Sequence, residues 1–221
     1  IIATVGCPDI APAWVEQLDP DGFAAVPLQH GHDHPLVRWH HSPPERGSAV
    51  GRVIGFSGFM AIAGTLASPN PWQSYLIGGL PSSPVWEHSM PGELRAGWTA
   101  GTHVFDHPVH RDFCFFLSLV APELWRTADG YGLADPAAGA VLTITGRGVE
   151  GKSRGRDRAP ILRLWRRFGA LLRQWEKLGR PAAGDYELVF LPKQDPVKLG
   201  KGSNRVWVIE RARHWELVRL P

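Results

Sequence analysis

One run constrains the fold more than any other: PILRLWRRFGALLRQWEKLGRP, residues 160–181. Ile161, Leu164, Trp165, Phe168, Leu171, Leu172, Trp175 and Leu178 recur at three- and four-residue spacing, so a helix places them on one face. Pro160 suits the first turn, and Gly179 followed shortly by Pro181 marks the stop. The other readable elements are mostly strands, which points to a mixed α/β class.

IIATV, residues 1–5, is a β-branched run of the kind found in a buried parallel strand. A short helix is expected over Pro12–Leu18, with Pro12 near its first turn. DPDG, Asp19 to Gly22, is a turn: Pro fixes φ and Gly tolerates positive φ. FAAVPL, PLVRWHH and AVGRVIGFSGF follow as strands. Residues 61–112 are rich in Pro, Gly and Ser and lack periodicity, so they are expected to form an irregular connection. DFCFFLSLV, residues 112–120, is strongly apolar and is expected as a buried strand. AVLTIT, residues 140–145, is another strand, and GRGVEGKSRGRDRA is expected as a basic loop. YELVFLP, RVWVIER and HWELVRL complete the strands.

The chain has 221 residues, enough for one large domain or two small ones. No apolar run reaches the roughly 18 residues of a membrane span, and no signal peptide is read. Two cysteines, Cys7 and Cys114, suit a reducing compartment and argue against a disulfide framework. The expected location is cytoplasmic.

Five of the ten histidines, His30, His32, His34, His40 and His41, lie close together. Gly31, Asp33 and Pro35 are turn formers between two strands, so the cluster is read as a hairpin tip and no metal ligand is assigned. His103, His107 and His110 form a second group, which Pro108 keeps from a clean helical pairing. GRGVEG, Gly146 to Gly151, matches a dinucleotide fingerprint, but nine residues separate it from the helix that should receive the pyrophosphate. Charge is concentrated: eleven Lys or Arg lie between Arg147 and Arg180, against Glu150, Asp157 and Glu176. Arg163, Arg166, Arg167 and Arg173 fall off the apolar stripe. Such a strip is either a solvated face or a surface that draws acidic partners. No nucleic-acid motif accompanies it, and no nucleophile stands beside a base, so no catalytic residue is assigned.

The segment TVGCPDIAPAWVEQLDPDGFAAVPL resembles the protein-L-isoaspartate O-methyltransferase family. The family's Ala/Gly turn, Pro-bearing segment, helix ending in "QL" and "kpGGrlv.P" run correspond to Thr4–Cys7, Pro8–Pro12, Trp14–Leu18 and Asp19–Pro27. Gly22 keeps the second glycine of the pair, and Asp21 replaces the first. FCFFLSL, GYGLADPAAGAV and LLRQWEKLGRP look like the C-terminal extension of long actinobacterial members, some of which act on ribosomally made peptides. The family's glycine-rich cofactor loop, acidic strand end and early active-site hydroxyl have no counterpart in these residues.

The resemblance implies the last part of a Rossmann-like methyltransferase sheet with antiparallel closing strands over residues 1–60. An appended α+β domain for substrate recognition is expected over 61–221. It implies methyl transfer from S-adenosylmethionine to an aspartyl or isoaspartyl carboxylate of a peptide or protein. Thr4, Val5, Gly6, Cys7 and Pro8 would border the acceptor, and Ser57 would face the cofactor. An N-terminal half is expected from another segment or chain. The alternative is a non-catalytic module that holds acidic peptides on a basic face flanked by aromatics such as Trp207 and Trp215. Membrane and nucleic-acid partners are not expected.

Overall fold

The computed structural model describes residues 1–31, 33–41, 48–58, 86–88, 109–121, 124–127, 130–145, 148–153, 156–193 and 205–221. His32, His103, His107, SPPERG of the expected turn at 42–47, and the connection at 61–108 apart from 86–88 lie outside them. The chain divides into two compact units, 1–70 with 182–221, and 71–181.

In the first unit, residues 1–7 run beside strand β1 (Ala24–Pro27), with parallel bridges Ile2↔Ala25 and Cys7↔Leu28. Helix α1 (Pro12–Gln17) makes the crossover, starting at Pro12 as its ring geometry favours. Asp19 closes the turn before β1: its carbonyl accepts from the Gly22 amide at 2.8 Å and its carboxylate from the Asp21 amide at 3.0 Å. The chain then turns antiparallel, through β2 (His34–His41) and β3 (Ala49–Ser57). The β-branched run at the start does pair in parallel, but it is not a buried strand: Ile1 and Ile2 are 43% and 74% exposed.

The last three strands are β9 (Glu187–Pro192), β10 (Val206–Glu210) and β11 (His214–Arg219). They belong to this same unit. Strand β3 pairs with β9, Val50 opposite Val189, giving a six-stranded sheet in the order β1-β2-β3-β9-β11-β10. The expected boundary at residue 60, with everything beyond it appended, therefore differs from the division in the structure. The second unit is inserted between β3 and β9, because the apolar residues of β9 and β11 complete the first sheet. Trp39, Leu28, Tyr186, Leu188, Phe190 and Val218 are fully buried there.

The second unit contains β4 (Trp86–His88), α2 (Val109–Val120), β5 (Leu124–Thr127), β6 (Gly130–Asp135), β7 (Ala140–Thr145), β8 (Gly148–Ser153) and α3 (Ala159–Lys177). Its strands form an antiparallel sheet in the order β4-β8-β7-β6-β5. Helix α3 buries Ile161, Leu164, Trp165, Phe168, Leu171, Leu172 and Trp175, as the periodicity predicts.

Two expectations fail in this unit. DFCFFLSLV is not a strand but most of helix α2, with Phe113 through Leu117 all buried. A segment covered on every side has no polar face, so neither helical nor strand periodicity is visible in it. GVEGKS, residues 148–153 of the expected basic loop, is strand β8, with Gly148 opposite Thr145 of β7, so Gly148 and Gly151 lie within a strand and not between a strand and a helix; 146–147 and 154–155 lie outside the described residues. Gly151 instead lets α3 approach the sheet, since a Cβ there would lie 2.9 Å from Ile161 Cγ1.

Candidate functional site

The Thr4–Pro8 stretch lies at the carboxyl end of the parallel segment, still bridged to the sheet at Cys7, the end at which open α/β sheets place their ligands. Thr4 is exposed, Val5 and Pro8 are half-buried, and Gly6 and Cys7 are buried. Cys7 is tied on both sides of its peptide: its amide donates to the Pro27 carbonyl at 2.7 Å, and its carbonyl accepts from the Gln29 amide at 2.7 Å. Burial pushes the Cys7 thiol up, which keeps it protonated, and Sγ donates to the Val5 carbonyl.

His34 links the two groups of residues singled out in the sequence. Its imidazole packs so closely on Gly6 that a Cβ there would stand 2.3 Å from Nε2. Only glycine leaves room for the ring. His34 opens β2 opposite Ser57, whose hydroxyl donates to the His34 carbonyl at 2.8 Å. Gly6 and Ser57 are thus brought to the same residue.

Behind the turn lies a buried charged cluster. Glu216 is fully buried on β11, and Arg211 and His30 are nearly so. The Arg211 guanidinium donates through Nε to Glu216 at 2.7 Å, and through one terminal nitrogen to the carbonyls of Pro8 at 3.0 Å and Gln29 at 2.6 Å. His30 Nε2 stands 2.8 Å from Glu216 Oε1 and 2.9 Å from the other terminal nitrogen of Arg211. Nearby, the Asp9 carboxylate accepts from the Arg213 amide at 2.6 Å and meets His214 Nδ1 at 3.0 Å.

The electrostatics fix the charge states. Burial pushes the Glu216 carboxyl up, but Arg211, with His30, outweighs it and brings the group down to about 2. Burial lowers His30, and Arg211 lowers it further against the pull of Glu216. The cluster is therefore an arginine–glutamate ion pair beside a neutral imidazole, and a neutral Nε2 can serve one of its two neighbours at a time. Its hydrogen bonds bind the Pro8–Asp9 turn to the last hairpin. Among the described residues no hydroxyl or thiol hydrogen-bonds to His214, so the Asp9–His214 pair is a strut and not a nucleophile-activating dyad.

Sequence reasoning missed Asp9, His30, His34, Arg211, His214 and Glu216 as neighbours of the turn. A signal did exist: in HWELVRL, alternation places His214 and Glu216 on one face with Val218, and a polar pair on a core-facing stripe needs partners. The partners themselves, some 180–205 positions away, were not visible. Among the described residues no group of three or more His, Cys, Asp or Glu side chains is arranged to hold a metal ion. No helix among them is long and apolar enough to cross a membrane.

No protein-family model matches the sequence, and no curated protein matches it. A solved structure titled "protein-L-isoaspartate O-methyltransferase" aligns over 84% of this chain and 49% of its own, with 17% identity and a TM-score of 0.31. The chain thus spans about half the length of that structure.

Proposed function

We propose that this chain is part of an S-adenosylmethionine-dependent O-methyltransferase acting on an aspartyl or isoaspartyl carboxylate of a peptide or protein, with the Thr4–Pro8 turn bordering the acceptor. The observation that carries this reading is the unit formed by residues 1–28, a parallel segment, a turn and a short crossover helix returning to β1. It is the same stretch that carries the family resemblance in the sequence. Arg211 donates to the Pro8 carbonyl of its turn at 3.0 Å and to the neighbouring Gln29 carbonyl at 2.6 Å.

The acceptor carboxylate is anionic at neutral pH, so the reaction needs no strong base. What the chain must supply is position: a carboxylate oxygen held in line with the methyl group it attacks. When bound, S-adenosylmethionine supplies that methyl activated on a sulfonium. The described residues do not make a cradle for it, because they hold no glycine-rich turn between a parallel strand and a helix. Ser57 is the one cofactor-side contact proposed here. The remainder of that site is proposed to come from another segment or chain. Two buried thiols without a disulfide suit a cytoplasmic setting.

The test is transfer of labelled methyl to an isoaspartyl peptide by this chain and by the complete product of its reading frame. Transfer by the complete product, abolished by Gly6→Leu with circular dichroism unchanged, is the expected result. Absence of transfer from both, or full turnover in the Gly6→Leu protein, would remove the assignment.

A further inference from the structure

We infer that the outer face of α3 is a docking surface for an acidic segment of a peptide. Arg163, Arg166, Arg167, Arg173 and Lys177 are all exposed, and so are Ala170 and Gln174 between them. At 100° per residue these positions fall on one face, opposite the buried stripe. No carboxylate interrupts that face: Glu176, the one acid inside the helix, lies toward its flank and pairs with Arg180 at 2.7 Å. Arg163 reaches Asp135 at 3.4 Å, a loose and exposed contact. Among the described residues no carboxylate pairs with Arg166, Arg173 or Lys177.

Five like charges along one helix repel one another, and i,i+4 pairs such as Arg163–Arg167 and Arg173–Lys177 destabilise an isolated helix. The strip is tolerated because the opposite face is packed into the core. A bound anion would turn that repulsion into attraction. From Arg163 to Lys177 the strip runs about 21 Å at 1.5 Å per residue. That length matches roughly six residues of extended peptide.

The chemistry favours an acidic peptide over a nucleic acid. Single-stranded nucleic acids are held by charge together with aromatic platforms on which bases stack. The aromatics of α3, Trp165, Phe168 and Trp175, are all buried, so this face offers charge alone. The inference rests on the peptide-substrate reading and deepens it, naming acidic flanking sequence as what selects the substrate. Trp207 and Trp215, the expected aromatic flank, belong to the first unit, where Trp215 packs under Lys193 and Trp207 against Tyr186.

The test is fluorescence anisotropy of a labelled ten-residue Asp/Glu peptide, beside a neutral peptide and an oligonucleotide, across salt concentrations. Binding of the acidic peptide alone, falling as salt rises, is expected. Charge reversal at two exposed positions, Arg166→Glu with Arg173→Glu, should weaken it at least tenfold and flatten the salt dependence, with the helix signal intact. Wild-type affinity and salt dependence in that variant, or tighter binding of the oligonucleotide, overturns the inference. Methyl transfer is not needed for this measurement. Peptide binding with no transfer by the complete product removes the methyltransferase reading and leaves the surface; transfer by the complete product without charge-dependent binding does the reverse.

Discussion

The two units solve the problem of closing an antiparallel sheet with opposite chemistry. The second is sealed by a dry aromatic layer: Phe113 of α2 meets Phe168 edge-on at 5.8 Å and Trp175 at 5.2 Å, both from α3. The first is sealed where β11 meets the Pro8–Asp9 turn by an ion pair and an imidazole that water does not reach. Apolar packing is non-directional and tolerant of rearrangement. A buried charge cluster admits few arrangements and penalises every missing partner. The unit carrying the proposed acceptor turn is thereby held in one geometry, at the cost of sensitivity to the loss of any one partner.

The sharpest way to break this contrast is to remove one charge. Arg211→Met leaves Glu216 buried without its permanent cation, with only the His30 imidazole beside it, and is expected to cost the first unit about 3–5 kcal/mol. Trp175→Ala should cost the second unit a similar ~3–5 kcal/mol through lost packing. Denaturant titrations following each unit's own signal separate the two. Equal loss in both units from Arg211→Met would show that they are not independent.

Acid should then divide them. Glu216 falls from 4.5 to about 2 in the folded protein, so its contribution is present above 4.5 and is lost as pH drops from there toward 2. The size is on the order of 3 kcal/mol. His30 is also lowered from 6.5, so its contribution is complete above 6.5 and is lost as pH falls below that value. The first unit should lose stability in acid before the second, and pH-dependent melting followed by near-ultraviolet dichroism would show it. Coincident loss in both units would contradict the charge-state assignment.

A smaller effect probes the turn. Gly6→Ala must displace the His34 ring, at roughly 1–3 kcal/mol for overpacking. Most of that should return in the Gly6→Ala, His34→Ala double variant, and additivity of the two changes would mean that the contact is not what constrains the turn. The smallest expected change is at the surface of the second unit. Glu176→Gln removes a partly exposed i,i+4 pair with Arg180 and should cost under ~0.5 kcal/mol by thermal melting.

What the sequence revealed follows from where its information is local. Helix α3 was legible because one side of it meets water and the other does not. Strands β7, β9 and β11 were legible from β-branched and aromatic runs bounded by turn residues. Helix α2 was not, since Phe113 to Leu117 are covered all round and carry no period. The pairing of Val50 with Val189 leaves no trace in either strand alone, so the inserted position of the second unit was hidden. In the candidate site, the turn was readable from its own residues. Arg211 and Glu216 were not, because a buried charge is explained only by partners that the fold brings from far along the chain.

The insertion has a consequence for the order in which the molecule can be built during synthesis. Strand β3 leaves the ribosome with one edge paired to β2 and the other waiting for β9. Val189 emerges roughly 140 residues after Val50, some seconds to tens of seconds later at ~5–20 residues per second. Throughout that interval the second unit, whose strands and helices are all encoded in between, can complete its own sheet. The first unit cannot, and its Thr4–Asp9 stretch gains the hydrogen bonds from Arg211 and Arg213 only once those residues have emerged.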